Sequence, residues 1–523
     1  MTATLGDLAD LALSHDPAAA LAGIEAYVDQ HGLCPRSGAV LAFAQVLNCQ
    51  FDAASTWQPS DTEPLTRAMS GFVAAVCFAQ VPAVEDDHLG PAYAGLQAFV
   101  TVEAAMSAGQ ILRAETCARE VAPHLDDLAR GTYRAWNQVA LARSLAFQGR
   151  VSEARAEIDV VLGDPRRAEW PAVDRIARGV QAFMAAHQGD STLPAQFVTA
   201  LGEEVVEPRT YLESSAFVLA AFAEQAAGRL EHVGDLVLHG GGGEYLPRYQ
   251  IVDRVYCYEI LLEAALAESD VAAAQRWLQL AEGLPVEDHD MASAAVARIR
   301  ARLALALDDP ETGARESVLA GQRAAVVGGS LEVYRSELLE AAASRAQGVQ
   351  VDVARLEEIA RLAATTGARV LREWAARELG QRGRRLRNVP GQGWEALTAR
   401  QRLVAVLAAQ GLRNREIGAQ LFVSERTVEG HIASVLDALG APSRVGIGRH
   451  VPGPALRQDA SAAELTPRQR TVADLVADGR TNAAIAEALG ISEKTVEKHI
   501  ADVFARLQVQ SRAAVAALVR QAG

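Results

Sequence analysis

Lysine is almost missing from this chain: all but two of its 50 basic residues are arginine, and the two, Lys494 and Lys498, lie within five residues of each other. A Walker A phosphate loop needs lysine in GxxxxGK[ST], and a phosphoacceptor receiver domain also uses one, so residues 1–493 are expected to hold neither. Aromatic residues are scarce as well, at 5% of the 523 positions, and with abundant alanine this favours closely packed helices over sandwiches or barrels. Five cysteines (Cys34, Cys49, Cys77, Cys117, Cys257) form no CxxC pair, which argues against a disulfide framework or a zinc site. No apolar run approaches the roughly 18 residues that span a bilayer, and the acidic opening MTATLGDLADLALSHD lacks the basic start and apolar centre of a secretory signal. The expectation is a cytoplasmic all-α protein with reduced thiols and no membrane partner.

Catalytic chemistry finds no residues to rest on. His15, His88, His124 and His187 are scattered without HExxH or other ligand spacing, so neither a metal centre nor a catalytic histidine is expected, and no cofactor is implied. The run HGGGGEYLPRY, His239 to Tyr249, lacks both a preceding strand and GxGxxG spacing, and reads as a flexible loop rather than a phosphate cradle.

What the chain does have is a period. Turn residues at Gly109, Gly149, Gly189, Gly228, Ser269, Asp309 and Gly348 are each followed by a small residue: Ala114, Ala154, Ala195, Val233, Ala274, Ala314 and Ala354. The intervals of 39 to 41 residues predict helical hairpins stacked into a solenoid, each burying its apolar face on the next. The pattern resembles a tetratricopeptide-like α-solenoid, at a pitch longer than the roughly 34 residues of that repeat. Residues 1–108 look helical, as in DPAAALAGIEAYV, but are poorly phased and are expected to cap the array. Such a solenoid offers a concave surface to a protein or a small-molecule effector.

Charge is divided unevenly. From Gln381 onward there are 20 basic and 13 acidic residues, against 30 and 52 before it, so a polyanionic partner would meet the tail. That tail is a duplication: residues 397–445 align with 465–513 without a gap, with 25 identities in 49 positions. Thr398 with Gln401, and Thr466 with Gln469, form capping boxes, and Gly411 or Gly479 ends the first helix. A short helix is predicted over about Asn414 to Leu421, or Asn482 to Leu489. Ser424 or Ser492 then caps a third, with Val428, Ile432, Val435 and Leu439, or Val496, Ile500, Val503 and Leu507, spaced for burial. This is the order of a helix-turn-helix.

LTARQR...GLRNREIGAQLFVSERTVEGHIASVLDALGAPSR and LTPRQR...GRTNAAIAEALGISEKTVEKHIADVFARLQVQSR resemble the DNA-binding domain of LuxR-type transcriptional regulators over the whole module, twice. The resemblance implies two tandem four-helix domains whose third helices enter the major groove of double-stranded DNA. It places Arg426, Thr427, Gly430 and His431, and Lys494, Thr495, Lys498 and His499, toward the groove or flanking phosphates. Val428 and Val496 are equally compatible with core or with contact to a thymine methyl. Glu429 and Glu497 suit the positive end of a helix, or accept from cytosine N4. The resemblance also implies a fourth helix after Ser511 that mediates homodimerisation, whereas RVGIGRHVPGP after Ser443 breaks at its glycines and proline.

The expected organisation is therefore a helical-repeat region, 1–380; a basic linker, 381–396; a first module, 397–451; a second linker, 452–464; and a second module, 465–523. Counted from Gly446 to Glu464, 19 residues separate the aligned copies, giving a reach of about 65 Å fully extended. That permits neighbouring half-sites about 34–36 Å apart to be read together. The rival reading is a protein-interaction scaffold in which one or both modules serve as dimerisation or partner surfaces.

Overall fold

The computed structural model describes residues 4–14, 16–59, 63–80, 93–125, 131–350, 352–382, 394, 397, 399–421, 423–439, 441, 443–451, 465–478, 480–506 and 515. The regular elements among them are all helical, and none is long and apolar enough to cross a membrane. The chain divides into two compact units, residues 1–385 and 386–523.

The first unit opens with α1 (Leu5–Ser14), α2 (Pro17–His31), α3 (Pro35–Leu47), α4 (Phe51–Ser55) and α5 (Pro64–Phe78). Hairpins follow: α6 (Ala94–Ser107) with α7 (Ile111–Val121), α8 (Thr132–Phe147) with α9 (Val151–Gly163), α10 (Pro171–His187) with α11 (Thr192–Glu204), and α12 (Tyr211–Ala226) with α13 (Val233–Gly241). They continue with α14 (Ile251–Ala267) and α15 (Val271–Glu282), α16 (Asp290–Ala306) and α17 (Pro310–Val326), and α18 (Ser330–Ala346) and α19 (Val353–Thr366), before α20 (Arg369–Gly380).

The periodic turns have a common backbone cause. Gly109, Gly149, Gly189, Gly228, Ser269 and Gly348 all take positive φ, between 63° and 82°, which reverses the chain between the helices of a hairpin. At the sixth turn the left-handed residue is Asp308, not Asp309; Asp309 instead caps α17, its carboxylate accepting from Thr312 N at 3.1 Å. The small-residue rule holds where Ala114, Ala154, Val233 and Ala274 are fully buried. It fails where the second helix enters in a different phase: Ala195 and Ala354 are exposed and Ala314 half-buried, and Pro194, Leu356 and Gly313 take the inward positions.

Packing goes beyond nearest neighbours. α1 packs on α10, α3 on α12, α5 on α14, α8 on α18 and α10 on α20, so the hairpins wind into a superhelix whose successive turns touch. Helices α1, α3 and α5 thus form part of the first turn rather than only a terminal cap. His289 is one of the side chains that join the turns: buried, its Nδ1 accepts from Ala292 N at 3.2 Å, which leaves Nε2 to donate to Ser107 O at 2.9 Å. Gly109 lies directly under this contact, where an added Cβ would sit 2.9 Å from the His289 ring.

The glycine run is not a loose loop. Its first three residues end α13, and a Cβ at Gly240 would meet Tyr249 Oη at 2.3 Å and Phe217 Cβ at 2.4 Å. Tyr249 is buried and donates to Val237 O at 3.2 Å, so the glycines permit close packing.

The helical-repeat unit also holds two recesses. A chamber of about 100 Å³ lies among the inward helices, and a wider one of about 600 Å³ adjoins it, the two sharing Phe147, Phe183, Phe222 and Tyr256 as a common wall. Beside the wall a fully buried Arg298 forms ion pairs with Glu259 at 2.7 Å and Glu332 at 2.5 Å, its guanidinium over the Tyr256 ring at 5.8 Å. Arg302 and Arg335 complete the network through Glu263, at 2.6 and 3.5 Å.

Candidate nucleic-acid interface

The second unit folds as the duplication requires. α21 (Ala399–Ala409), α22 (Asn414–Leu421) and α23 (Glu425–Leu439) are repeated as α24 (Pro467–Ala477), α25 (Asn482–Leu489) and α26 (Glu493–Arg506). The capping box at α24 is formed in both directions: Thr466 Oγ1 accepts from Gln469 N at 3.3 Å and Gln469 Oε1 accepts from Thr466 N at 3.1 Å. Thr398 and Gly479 lie outside the described residues. Gly411 takes φ 91° at the end of the first helix of its copy.

The third helix of each copy starts on a serine. Ser424 Oγ accepts from Thr427 N at 3.1 Å, and Ser492 Oγ from Thr495 N at 3.2 Å, satisfying a donor that the helix start would otherwise leave open. The same serines share hydrogen bonds with the threonine hydroxyls, at 2.7 and 2.8 Å, which fixes Thr427 and Thr495 on the exposed first turn.

Burial sorts the expected contact residues. Arg426, Thr427 and Gly430, and Lys494, Thr495 and Lys498, are exposed on one end of their helices; His431 and His499 are half-buried beside them. Glu429 and Glu497 are exposed on the same turns. Of the two readings open for Val428 and Val496, burial favours the core: both are 0% exposed, packed with Ile417, Ile432 and Val435 in one copy and with Ile485, Ile500 and Val503 in the other. A side chain enclosed by its own core presents no methyl to a base, which favours the core reading for both valines.

Three arginines that the motif reading left without a role hold the short helices in place. Arg400 and its counterpart Arg468 reach across to carbonyls at the end of α22 and α25, Leu421 O and Leu489 O. Arg444 donates to Asn414 Oδ1 at 2.5 Å and to Leu412 O, so the paired Asn and Ser-Arg signals of the first copy are two ends of one tether. Their equal spacing in both copies was the available signal.

After Ser443 the first copy does not simply break. Arg444–Arg449 form a 3₁₀ helix whose Ile447 is fully buried, and Val451 joins the same core. The stretch between the two cores is therefore shorter than 19 residues: 452–464 spans 13, which reach at most about 45 Å. The 452–464 linker itself, nearly all of the 381–396 linker and the proposed dimerisation helix after Ser511 lie outside the described residues, except that Val515 is buried in the second core.

With this geometry established, comparison with known proteins is informative for the tail. Residues 395–451 and 463–519 each match the family model described as bacterial regulatory proteins, luxR family. The chain carries two luxR-family domains.

Relatives extend the match only modestly. A protein of Mycobacterium tuberculosis named "Putative HTH-type transcriptional regulator" is 33% identical over 232 residues, 37% of this chain and 26% of the relative. An uncharacterized transcriptional regulatory protein of Bacillus subtilis is 45% identical over 49 residues, 9% of this chain and 23% of its own length. The chain thus spans about a quarter of the length of these curated relatives. Among solved structures, the APC/C hetero-tetramer Cut9–Hcn1 covers 87% of this chain and 97% of its own at 10% identity, but with a TM-score of 0.24 it carries no argument about this fold.

Among the described side chains of the third helices of the two luxR-family domains, one position that is exposed in both copies differs in charge. Lys498 has Gly430 as its counterpart, and a Cβ added at Gly430 would meet nothing within 4 Å. Gly430→Lys is therefore expected to stabilise α23 by roughly 0.5–1 kcal/mol, since glycine is a poor helix former. Once in place, the added cation should steepen the salt dependence of DNA binding by about one phosphate contact. Competition binding at several salt concentrations checks this, and an unchanged slope would show that the first helix does not face the backbone.

Proposed function

We propose that this chain is a sequence-specific double-stranded DNA-binding transcriptional regulator whose helical-repeat unit senses an effector. The observation that carries the reading is the pair of third helices, each capped by serine and each exposing hydroxyl, basic and imidazole groups at its N-terminal end while its valines are withdrawn into the core. Backbone positioning would come from Thr427 and Thr495 and from the helix starts, because hydroxyls and free N–H groups suit phosphate oxygens. Base reading would fall to Arg426, Lys494 and Lys498, whose donors match guanine O6 and N7, with His431 and His499 beside them.

Glu429 and Glu497 restrict that surface. A carboxylate facing phosphate is repulsive, so exposed glutamates on the recognition turn favour sites where cytosine N4 donates to them and disfavour indiscriminate binding. A span of 13 residues between the domains permits both to occupy half-sites about 34–36 Å apart, and the tether raises the effective concentration of the second once the first has bound.

A mobility-shift titration across salt tests the proposal. Duplex binding should weaken linearly in log–log form with a slope near –0.9 per phosphate neutralised. Absence of duplex binding, or binding indifferent to salt, would overturn it.

A further inference from the structure

The chain has only 12 phenylalanines, 9 tyrosines and 6 tryptophans, yet eight aromatic side chains line the smaller chamber of the helical-repeat unit, Trp136, Tyr211, Phe222 and Tyr256 among them. Other aromatic side chains, Phe43, Tyr133, Trp170, Phe217 and Tyr258 among them, are buried elsewhere in the unit, but the chamber gathers eight around one small space. Three charged groups also face the chamber. Arg143 grips Glu103 through two hydrogen bonds, 2.8 and 3.0 Å, and Asp253 stands apart from that pair, receiving one hydrogen bond from Gln250 Nε2 at 3.0 Å. The lining therefore carries one carboxylate in excess of its cations.

Several of its polar atoms have no partner. Trp136 Nε1, Gln250 Oε1 and Tyr256 Oη make no hydrogen bond, although Trp136, Gln250 and Tyr256 are each at least nine-tenths buried. Leaving such groups unpaired costs about 1–3 kcal/mol each, so a chamber that keeps three of them is built for something that enters it. Burial pushes the Asp253 carboxyl up to about 6; the Gln250 hydrogen bond and Arg143 oppose the rise and Glu103 adds to it. A cation brought beside that carboxylate relieves its desolvation and meets aromatic faces that favour positive charge.

We propose that the smaller chamber is the effector site of this chain, and that its ligand is a small organic amine whose ammonium pairs with Asp253 and Gln250 Oε1 while an apolar body lies among the aromatic side chains. Size limits that body: about 100 Å³ is less than the roughly 150 Å³ of a cavity that holds benzene, so a short branched chain is the upper bound. The adjoining chamber of about 600 Å³ supplies room beyond the shared wall at Tyr256 and Phe222, through which the ligand would enter.

The inference rests on the effector-sensing reading but not on DNA binding. Titration calorimetry of the full chain without DNA uses three probes of one shape: isopentylamine, neutral 3-methylbutan-1-ol and anionic isovalerate. The amine should bind one per chain, about tenfold or more tighter than either comparator, as a charge-assisted hydrogen bond requires. Asp253→Asn should bring the amine and the alcohol to near-equal affinity, and Gln250→Leu, which keeps the carboxylate, should weaken the amine several-fold. Binding should also weaken as pH falls through about 6, because the amine requires the ionised carboxylate. The groups facing Asp253 are Arg143, Glu103, Tyr211, Tyr249 and Cys257, and burial pushes the two tyrosines and the thiol well up, so they stay neutral in this range. Loss of the pH step in Asp253→Asn separates it from Glu103. No amine binding at millimolar concentration, equal or tighter binding of the alcohol or isovalerate, or an Asp253→Asn protein that still prefers the amine would each overturn the proposal, while failure of the salt titration alone would overturn only the DNA reading.

Discussion

Arg298→Ala should destabilise the helical-repeat unit by about 3–5 kcal/mol, the loss characteristic of removing one partner from a buried ion pair. Arg298 is 0% exposed and holds two carboxylates that are themselves almost wholly buried, Glu259 at 1% and Glu332 at 2%. Burial alone would raise the Glu259 carboxyl; Arg298 first, then Arg335 and Arg302, outweigh it and bring it down to about 2. Without Arg298, three glutamates, Glu259, Glu263 and Glu332, would face two arginines in a dry interior. The sign of the pH effect follows. In the native chain the depressed Glu259 contributes stability that is present above the unfolded carboxyl value, near 4.3, and is lost as pH falls toward 2. In the variant an unpaired buried carboxylate prefers to be protonated, so the deficit should be largest at neutral pH and shrink toward pH 5. Urea unfolding of the full chain, followed by far-ultraviolet circular dichroism at both pH values, measures it. The double variant Arg298→Met with Glu259→Leu restores the charge balance and should be less damaged than the single one; if it is worse, the pairing account fails.

That network shows where legibility stops. The helical class, the 40-residue period and the ends of α22 and α25 could be read from the chain because capping residues, left-handed turns and apolar spacing are local signals. Glu259, Arg298 and Glu332 sit in three different hairpins, and nothing local distinguishes them from the solvent-facing Glu and Arg that fill the same helices. The contact of α8 with α18 and of α10 with α20 is invisible for the same reason: a period gives the repeat but not the superhelical rise that brings one turn onto the next. On the third helices of the tail the inward or outward sense of each residue was only partly legible. Val428 and Val496 satisfy both a core spacing and a groove spacing, and only packing on Ile417 and Ile485 decides between them. Gly418 is a subtler case. Its counterpart is Ala486, yet a Cβ at 418 would lie 2.7 Å from Val423 O, so the turn before α23 is tighter in the first copy than the alignment implies.

Removing Lys494 and Lys498 together should weaken DNA binding by about 2–4 kcal/mol, roughly 30-fold to 1,000-fold, taking each as one base or phosphate contact of ordinary strength. The two are one helical turn apart on α26, both exposed, and Ser492 with Thr495 fixes the turn that presents them. The first copy offers less. On α23 Arg426 stands between Glu425 and Glu429, and Gly430 contributes no donor, so its exposed first turns are acidic on balance. Arg426→Ala should therefore cost only about 1 kcal/mol and relax sequence preference more than it lowers affinity, the behaviour of a contact that selects rather than anchors. Measuring both variants against the cognate site and a scrambled duplex at two salt concentrations separates the roles. If Lys494 and Lys498 read bases, their loss should fall mainly on the cognate site; if they pair with phosphate, both duplexes should weaken alike and the salt slope should drop by about two. Equal losses from disabling either copy would contradict the asymmetry that Gly430 and Lys498 set up, and would mean that the first domain gains its affinity from residues outside the third helix.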